Sequence, residues 1–343
     1  MRLKNSLKPL SQQVIVITGA TSGIGLTTAR MAAARGARLV LAARSEKALQ
    51  ELEDQLRQRG AEALGVPTDV GSKEDMKALA QAALARFGRI DTWINNAGIS
   101  IFGRLEDVPT EDSERLFQTN FWGIVNGSLE AVQHLKSDGG ALINLGSELS
   151  DVSVPLQGMY AASKHAVKGF TDALRMELEK ERAPVSVTLI KPAAIDTMFT
   201  VHAKNYMDVE PQLPPPLYAP ELVAEAILDA AQHPQRDVFV GGAAKANSLG
   251  GFHLPGLFDR IGKSLMWDQQ RSARPAATLR RDALHAADSS AELQQRLGVG
   301  GVHETSPYTR AARSSPLKLA LVGGGVLAAA AYVLTRQGKA ANG

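Results

Sequence analysis

The chain has 343 residues, of which 44% are hydrophobic and none is cysteine. Length and composition allow one large α/β domain or two smaller domains and exclude disorder throughout, and the lack of cysteine excludes disulfides, a thiolate nucleophile and cysteine-ligated zinc. The net charge of +3 comes from the C-terminal end, where five Lys or Arg residues and no acidic residue follow Glu304. No nucleic-acid-binding face is therefore predicted in the folded part, and no metal site is predicted either.

Short aliphatic and β-branched runs alternate with longer amphipathic stretches from residue 14 to residue 240, which is typical of repeated βαβ units. Seven strands are predicted, at residues 14–18, 38–42, 63–66, 92–95, 141–145, 185–190 and 238–240. Six helices are predicted between and after them, at 24–35, 46–59, 73–87, 113–134, 160–182 and 220–233. This order predicts one doubly wound α/β domain with a parallel seven-stranded sheet over residues 1–242.

The alternation ends after Gly241, and residues 243–316 are predicted to form an extension or linker. Apolar residues recur at helical spacing within 257–271, which predicts an amphipathic helix that either packs on the domain, lies at a dimer contact or rests on a membrane surface. Residues 272–316 are predicted to be a linker with a short helix near 291–297.

An uncharged apolar run between Lys318 and Arg336 predicts a membrane-spanning helix at residues 317–335. As a helix this segment would rise roughly 28 Å at 1.5 Å per residue, which approaches the thickness of the bilayer hydrocarbon. A buried terminal helix is the alternative, but three consecutive glycines disfavour it, since membrane helices tolerate glycine better. The N-terminus shows no secretory signal. We therefore expect a single-pass C-terminal anchor with the folded domain on the cytoplasmic side.

The sequence TGATSGIG at residues 18–25 joins the first predicted strand to the first predicted helix. Glycines there let the backbone turn tightly and approach a pyrophosphate at the positive end of the helix. No Gly-Lys-Ser/Thr follows, which disfavours a nucleoside triphosphate P-loop; the glycines alone would also suit a purely structural turn. The cofactor contacts predicted in this segment are Thr18, Gly19, Thr21, Ser22, Gly23, Ile24 and Gly25.

Cofactor choice depends on the residues that end the second predicted strand, where an acidic residue would hold the 2′-hydroxyl of NAD. Ala43 occupies that place, and Arg44 next to it can pair with a 2′-phosphate. NADP(H) is therefore predicted and NAD is less favoured, unless Arg44 points to solvent.

Further along the chain, NNAG at 95–98, Ser147 and YAASK at 160–164 follow in order. Together with TGATSGIG they resemble the short-chain dehydrogenase/reductase family, including the separation of thirteen residues between Ser and Tyr. The resemblance covers roughly residues 10–242 and implies a Rossmann-like fold and carbonyl–alcohol oxidoreduction. It implies Asn120, Ser147, Tyr160 and Lys164 as catalytic residues, with a proton-relay water held by Asn120. The further cofactor contacts that it implies are Asp69, Val70, Asn96, Ala97, Gly98, Tyr160, Lys164, Pro192, Ile195 and Thr197.

The chemistry of these residue types supports the same assignment. Lys164 lies one helical turn after Tyr160, and a nearby cation would favour the phenolate and lower the pKa of the phenol. Ser147 follows a predicted strand and can donate to a carbonyl or alkoxide oxygen. Taken singly, each of these residues would more often be a packing, capping or solvated residue.

The segment after the last predicted site residues is expected to cover the substrate. Ala193 replaces the family's usual glycine after Pro192, which is expected to stiffen that turn. Residues 198–216 form the predicted lid, and an apolar lid favours a lipophilic alcohol or carbonyl, although it would also suit ordinary core packing. The residues expected to line the pocket are Met198, Phe199, Tyr206 and Met207 from the lid and Glu148, Leu149, Val154 and Gln157 from the Ser–Tyr interval.

Three functions are compared. The first is a membrane-tethered oxidoreductase acting on a small-molecule carbonyl or alcohol. The second is a non-catalytic NADP-binding scaffold or redox-sensing partner, which the intact set of catalytic residues disfavours. The third, an epimerase or dehydratase, would need long insertions within residues 100–240 that the chain lacks. A homodimer or homotetramer through the helices at 113–134 and 160–182 is expected from the resemblance.

Overall fold

The computed structural model describes residues 7–288 and 292–314. Its centre is a parallel seven-stranded sheet of order β10-β7-β6-β4-β1-β2-β3, which confirms the seven predicted strands to within two residues at each end. The strands of this sheet are β1 (Val14–Thr18), β2 (Arg38–Ala43), β3 (Ala63–Pro67), β4 (Thr92–Asn95), β6 (Gly140–Leu145), β7 (Val185–Pro192) and β10 (Asp237–Val240). Four short strands pair outside it: β5 (Ile101–Phe102) with β8 (Lys204–Asn205), and β9 (Val209–Pro211) with β11 (Arg271–Pro275).

Helices cover both faces of the sheet, as the doubly wound prediction requires. The helices are α1 (Gly23–Ala33), α2 (Glu46–Gln58), α3 (Lys73–Phe87), α4 (Thr110–Phe117), α5 (Gly123–Asp138), α6 (Gly158–Lys180), α7 (Phe199–His202), α8 (Pro220–Ala230), α9 (Gly242–His253), α10 (Pro255–Ile261), α11 (Trp267–Gln269) and α12 (Pro307–Ser314). Successive residues of β1 face opposite layers, because side chains alternate along a strand. Ile15 and Ile17 pack with α1, α2 and α8, whereas Val14 and Val16 pack with α3, α5 and α6.

The strand order reverses between β1 and β4, and this reversal places the site. In open α/β sheets the crevice for a ligand opens at the carboxyl ends of the two strands on either side of such a reversal. TGATSGIG follows β1 and NNAG follows β4, so the two motifs meet at this crevice.

One predicted helix differs from the structure. Residues 113–134 were expected as one helix, but α4 and α5 are separated by a π-helical segment, Gln118–Trp122. Such a wide turn adds a residue to the helix and commonly occurs at functional sites. It carries Asn120, whose side chain is fully buried.

The extension packs against the domain instead of leaving it. A helical stretch, with a π-helical turn at Gly262–Met266, extends from α10 to α11 and so begins two residues before the predicted amphipathic helix. Where a linker was expected after residue 272, β11 pairs with β9, and a bridge joins Tyr218 to His303.

The short helix expected near 291–297 is not formed at residues 292–297, which are a turn and irregular chain. Their backbone instead bonds to the glycine-rich turn: Leu293 N donates to Thr21 O at 2.7 Å, and Gly23 N donates to Gln294 O at 2.9 Å. The predicted membrane-spanning segment 317–335 lies outside the described residues. Within the described ranges, no helix is long and apolar enough to cross a bilayer.

Candidate active site

The glycine-rich turn is shaped by close backbone contacts. Gly19 has φ +64° and Gly23 has φ +51°, conformations that favour glycine. A Cβ on Gly25 would lie 2.1 Å from the carbonyl oxygen of Gly19, so the helix approaches the turn as closely as it does only because this side chain is absent. The start of a helix leaves amides without intrahelical partners, and although Gly23 N donates to Gln294 O, this cradle fits a dinucleotide pyrophosphate.

Thr18 and Asn96 join the ends of β1 and β4. The amides of Asn96 and Ala97 donate to Thr18 Oγ1 at 3.0 and 3.1 Å, and Asn96 Nδ2 donates to the carbonyls of Thr18 and Gly19 at 2.9 and 3.1 Å. The Thr18 side chain is buried. The structure thus gives Thr18 a structural bond behind the cleft, while its contact with a cofactor stays a prediction.

Two adjoining cavities form the cleft. The first, of about 450 Å³, contains the crevice between β1 and β4, and the second, of about 120 Å³, lies at the ends of β2 and β3. Of the predicted site residues, the first is lined by Gly19, Ser22, Gly23, Ile24, Asn96, Ala97, Gly98, Ser147, Tyr160, Lys164, Pro192, Ile195 and Thr197. The second is lined by Gly19, Thr21, Ser22, Arg44, Asp69, Val70, Ala97 and Gly98. Thr18, Gly25 and Asn120 lie behind these walls.

Ser147 and Tyr160 meet at the first cavity. Ser147 follows β6 and caps a short 3₁₀ turn, with Leu149 N donating to Ser147 Oγ at 3.1 Å. Ser147 acts on Tyr160 by lowering the pKa of the phenol, and the ring of Tyr160 contacts Phe199 edge-on at a centroid distance of 5.4 Å. The ring is therefore held by an apolar contact, and Ser147 borders the same cavity.

Lys164 and Asn120 both lie close to Gly98. Lys164 Nζ donates to Leu145 O at 2.8 Å, and Asn120 exchanges bonds with the backbone of Ile99, with Ile99 N to Oδ1 at 2.8 Å and Nδ2 to Ile99 O at 2.9 Å. A Cβ on Gly98 would lie 3.4 Å from Asn120 Oδ1 and 3.7 Å from Lys164 Nζ. The two side chains thus border the same narrow space.

The ionisable groups of this site are shifted mainly by burial. Burial raises the pKa of the Tyr160 phenol, Ser147 lowers it, and the nearby Glu148 raises it further. Burial lowers the pKa of Lys164 to about 8. The direction for Tyr160 is opposite to the sequence-based expectation, because burial is the largest cause of the shift; Lys164 Nζ lies 5.7 Å from the centroid of the Tyr160 ring and bonds to the Leu145 carbonyl.

The turn after β7 accepts its alanine without strain. Ala193 is not among the described residues with positive φ, so the glycine usual in the family is not required by the backbone here. Thr197 lies against the glycine-rich turn, since a Cβ on Gly23 would be 3.1 Å from Thr197 Cβ. The turn therefore closes over the start of α1.

Most of the residues expected at the substrate pocket line the first cavity: Met198, Phe199, Glu148, Leu149, Val154 and Gln157. Tyr206 and Met207 do not. The hydroxyl of Tyr206 donates to Asp112 at 2.5 Å, and Met207 packs with Phe102 in a separate apolar cluster. Both side chains of this lid segment thus anchor it to the domain.

Part of the cavity wall comes from the extension, which the sequence did not assign to the site. The lining residues from the extension are Ala243, Asn247, Ile261, Leu265, Met266, Gln269 and Gln270. Asn247 Nδ2 donates to Glu148 at 2.8 Å, and burial raises the pKa of this carboxyl group to about 7. The helical spacing of Ile261 and Leu265 was the available signal, but spacing alone does not show what a helix packs against.

Comparisons with known proteins agree with this geometry. Residues 13–207 match the family described as short chain dehydrogenase. Over 335 residues, 96% of this chain and 94% of the relative, the uncharacterized oxidoreductase YxnA of Bacillus subtilis is 47% identical.

Two solved structures are similar to the chain. An alcohol dehydrogenase from the archaeon Thermococcus sibiricus, complexed with 5-hydroxy-NADP, has a TM-score of 0.59 and 28% identity over 66% of this chain and 95% of its own. A short chain dehydrogenase/reductase from Burkholderia phymatum, in complex with NAD, has a TM-score of 0.63 and 26% identity over 79% of this chain and 100% of its own. The chain belongs to the short-chain dehydrogenase/reductase family of oxidoreductases.

Proposed function

We propose that the protein is an NADP(H)-dependent oxidoreductase that interconverts a carbonyl and an alcohol on a lipophilic substrate. The observation that carries this proposal is that Ser147 and Tyr160 both line the first cavity, which adjoins the glycine-rich turn. A hydroxyl pair there can bind one substrate oxygen, next to the place where a dinucleotide would be held.

In the reductive direction the bound nicotinamide would supply a hydride to the carbonyl carbon. Ser147 orients the carbonyl oxygen, and Tyr160 donates a proton to it. The raised pKa of the phenol keeps it protonated at neutral pH, which is the form that donates. Lys164, with a pKa of about 8, is mostly charged at neutral pH and can help to return a proton to the phenolate through the space beside Asn120.

The preference for NADP(H) rests on the end of β2. Ala43 presents no carboxylate to a 2′-phosphate, and Arg44 lines the second cavity. The two solved neighbours hold an NADP derivative and NAD, so they do not decide between the cofactors.

The lipophilic substrate rests on the lining of the first cavity. Beyond the glycine-rich turn, twelve of the lining side chains are aliphatic, aromatic or proline, and they lie beside polar ones such as Ser147, Glu148 and Gln157. Such a lining favours apolar substrates. An apolar substrate makes few hydrogen bonds, and against these side chains it leaves few polar groups of the wall without a partner. The apolar lining residues are Leu149, Val152, Val154, Met198, Phe199, Leu213, Pro214, Pro215, Pro216, Ile261, Leu265 and Met266.

Association with a membrane is part of the proposal. The extension exposes large apolar side chains, with Phe252 79% exposed and Leu257 52% exposed. Ile261 and Leu265 belong to this apolar surface and also line the first cavity. An apolar surface at the cavity mouth suits a lipid surface, and the run at 317–335 would hold it there.

The test uses the full chain in a non-ionic detergent, with NADPH and NADH absorbance followed against lipophilic and small carbonyls. Tyr160→Phe is compared with Tyr308→Phe, at a tyrosine of α12 that lines neither cavity. We expect Tyr160→Phe to lower kcat about 10²- to 10⁴-fold and Tyr308→Phe to lower it less than about 3-fold. Tight NADPH binding with no turnover of any carbonyl or alcohol would instead support the non-catalytic scaffold.

A further inference from the structure

The extension runs beside the second cavity at the end of β2. Ala283 N donates to His202 O at 2.8 Å, and the side chain of Leu284 is fully buried. Leu284 belongs to the apolar cluster that also contains Leu116 and Tyr160. Residues 283–284 are thus held by both backbone and side-chain contacts, and their carbonyl groups have defined positions.

Two arginines from separate elements donate to the carbonyl of Leu284. Arg44 Nη1 and Arg115 Nε each lie 3.2 Å from this oxygen, and Arg44 Nη2 also donates to the carbonyl of Ala283. Arg115, in α4, donates in addition to Asp69 Oδ2 at 2.6 Å. Because they share one acceptor, the two guanidinium groups lie side by side, and both line the second cavity.

Each carboxylate that raises the pKa of Arg44 also pairs with another cation, and Asp288 and Glu292 line the second cavity as well. Burial lowers the pKa of Arg44, and Arg115 lowers it further, while Asp69 and Asp282 act in the opposite direction. Asp69 pairs with Arg115, and Asp282 lies 3.3 Å from Lys204. An anion that met both guanidinium groups would relieve the repulsion between them.

We propose that Arg115 is a second ligand of the adenosine 2′-phosphate, beside Arg44, and that the carbonyls of Ala283 and Leu284 position both side chains. Each guanidinium has five N–H donors, and the bonds described above use two on Arg44 and two on Arg115. The remaining donors can bind phosphate oxygens. The inference rests on the proposed NADP(H) preference and makes the extension part of the site that distinguishes NADP(H) from NAD(H).

The experiment measures dissociation constants by calorimetry on the full chain, for NADP⁺ and NAD⁺ and for the fragments adenosine 2′,5′-bisphosphate and AMP. We expect Arg115→Met to weaken NADP⁺ and the bisphosphate about 10- to 100-fold and NAD⁺ and AMP less than about 3-fold. Arg104→Met is the matched control, since Arg104 is exposed and pairs with Glu106. Leu284→Ala can act only by moving the two carbonyl groups that position the arginines. It should change the ratio of the NADP⁺ and NAD⁺ dissociation constants by about 3- to 10-fold.

Arg115→Met that weakens NADP⁺ and NAD⁺ equally would overturn the inference, since the arginine would then act only through its pair with Asp69. Unchanged dissociation constants for both NADP⁺ and NAD⁺ would overturn it as well. If Arg44→Met loses the preference for NADP⁺ over NAD⁺ and Arg115→Met keeps it, the NADP(H) proposal stands and the inference fails. If the wild type prefers NAD⁺, the proposed preference for NADP(H) itself fails. Should Arg115→Met not fold, Arg115→Lys keeps a cation for Asp69 but cannot present a guanidinium fork, and the NADP⁺ to NAD⁺ ratio should still fall.

Discussion

Glu148 is a carboxyl group in a mostly apolar cavity, and its charge should destabilise the fold above neutral pH. It accepts a hydrogen bond from Asn247 at 2.8 Å, and burial raises its pKa to about 7. Glu148→Gln keeps the shape and can still accept this bond, but it carries no charge. We therefore expect the variant to be more stable than the wild type at pH 8, and by more than at pH 5.

The size and sign follow from the pKa. A rise from 4.5 to about 7 corresponds to about 3 kcal/mol at about 1.4 kcal/mol per unit. Because Glu148 is only partly buried, solvent screening reduces this, and we expect a gain of about 1–2 kcal/mol at pH 8. The folded pKa lies above the unfolded one, so the folded protein binds more protons between these values. Its free energy of unfolding therefore falls as pH rises through that window.

The assay is urea unfolding of the wild type, Glu148→Gln and Glu51→Gln at pH 5, 6.5 and 8. Glu51 is an exposed glutamate on α2 and serves as the control. The reasoning is refuted if the difference between Glu148→Gln and the wild type does not change with pH, or if the variant is the less stable protein at pH 8.

Three further predictions concern the turn, the core and the membrane. Gly25→Ala should abolish NADPH binding measured by fluorescence, because its Cβ would lie 2.1 Å from Gly19 O; Gly169→Ala, in open space on α6, should preserve binding and stabilise by up to about 1 kcal/mol. Arg175→Met should lower the free energy of urea unfolding by about 2–4 kcal/mol, since the buried Arg175 donates to Val187 O at 2.9 Å and to Asp172 at 2.6 Å. Arg86 is more exposed, and Arg86→Met should change this free energy by less than about 0.5 kcal/mol. A double substitution, Val326→Lys with Ala329→Lys, should release the protein from membranes in an alkaline wash, whereas leucine at both positions should leave it bound; release of the wild type would contradict the anchor.

The fold could be predicted because its signals are local. Alternation of apolar runs and amphipathic stretches marks the strands and helices, and glycine-rich and NNAG motifs mark the crevice where the strand order reverses. The π-helical segment that carries Asn120 was not predictable in this way. A single added residue within a helix barely changes the periodicity of the apolar positions, so residues 113–134 read as one helix.

The contribution of the extension to the site was also not predictable, for a different reason. The carbonyl groups of Ala283 and Leu284 that hold Arg44 belong to the backbone and have no signature in the side chains. Likewise, the pKa of Glu148 depends on its burial and on Asn247, which is about 100 residues away in the chain. Sequence patterns report on neighbours along the chain, whereas these contacts are set by tertiary packing.

The contact between the extension and the glycine-rich turn affects how relatives should be compared. Leu293 N bonds to Thr21 O and Gly23 N bonds to Gln294 O, so only main-chain atoms take part. Other residues at positions 293 and 294 would preserve both bonds, provided that the backbone follows the same path, including the φ of +57° at Leu293. The residue types in an aligned column at these positions can therefore differ while the contact persists, and superposed backbones would reveal which relatives share it.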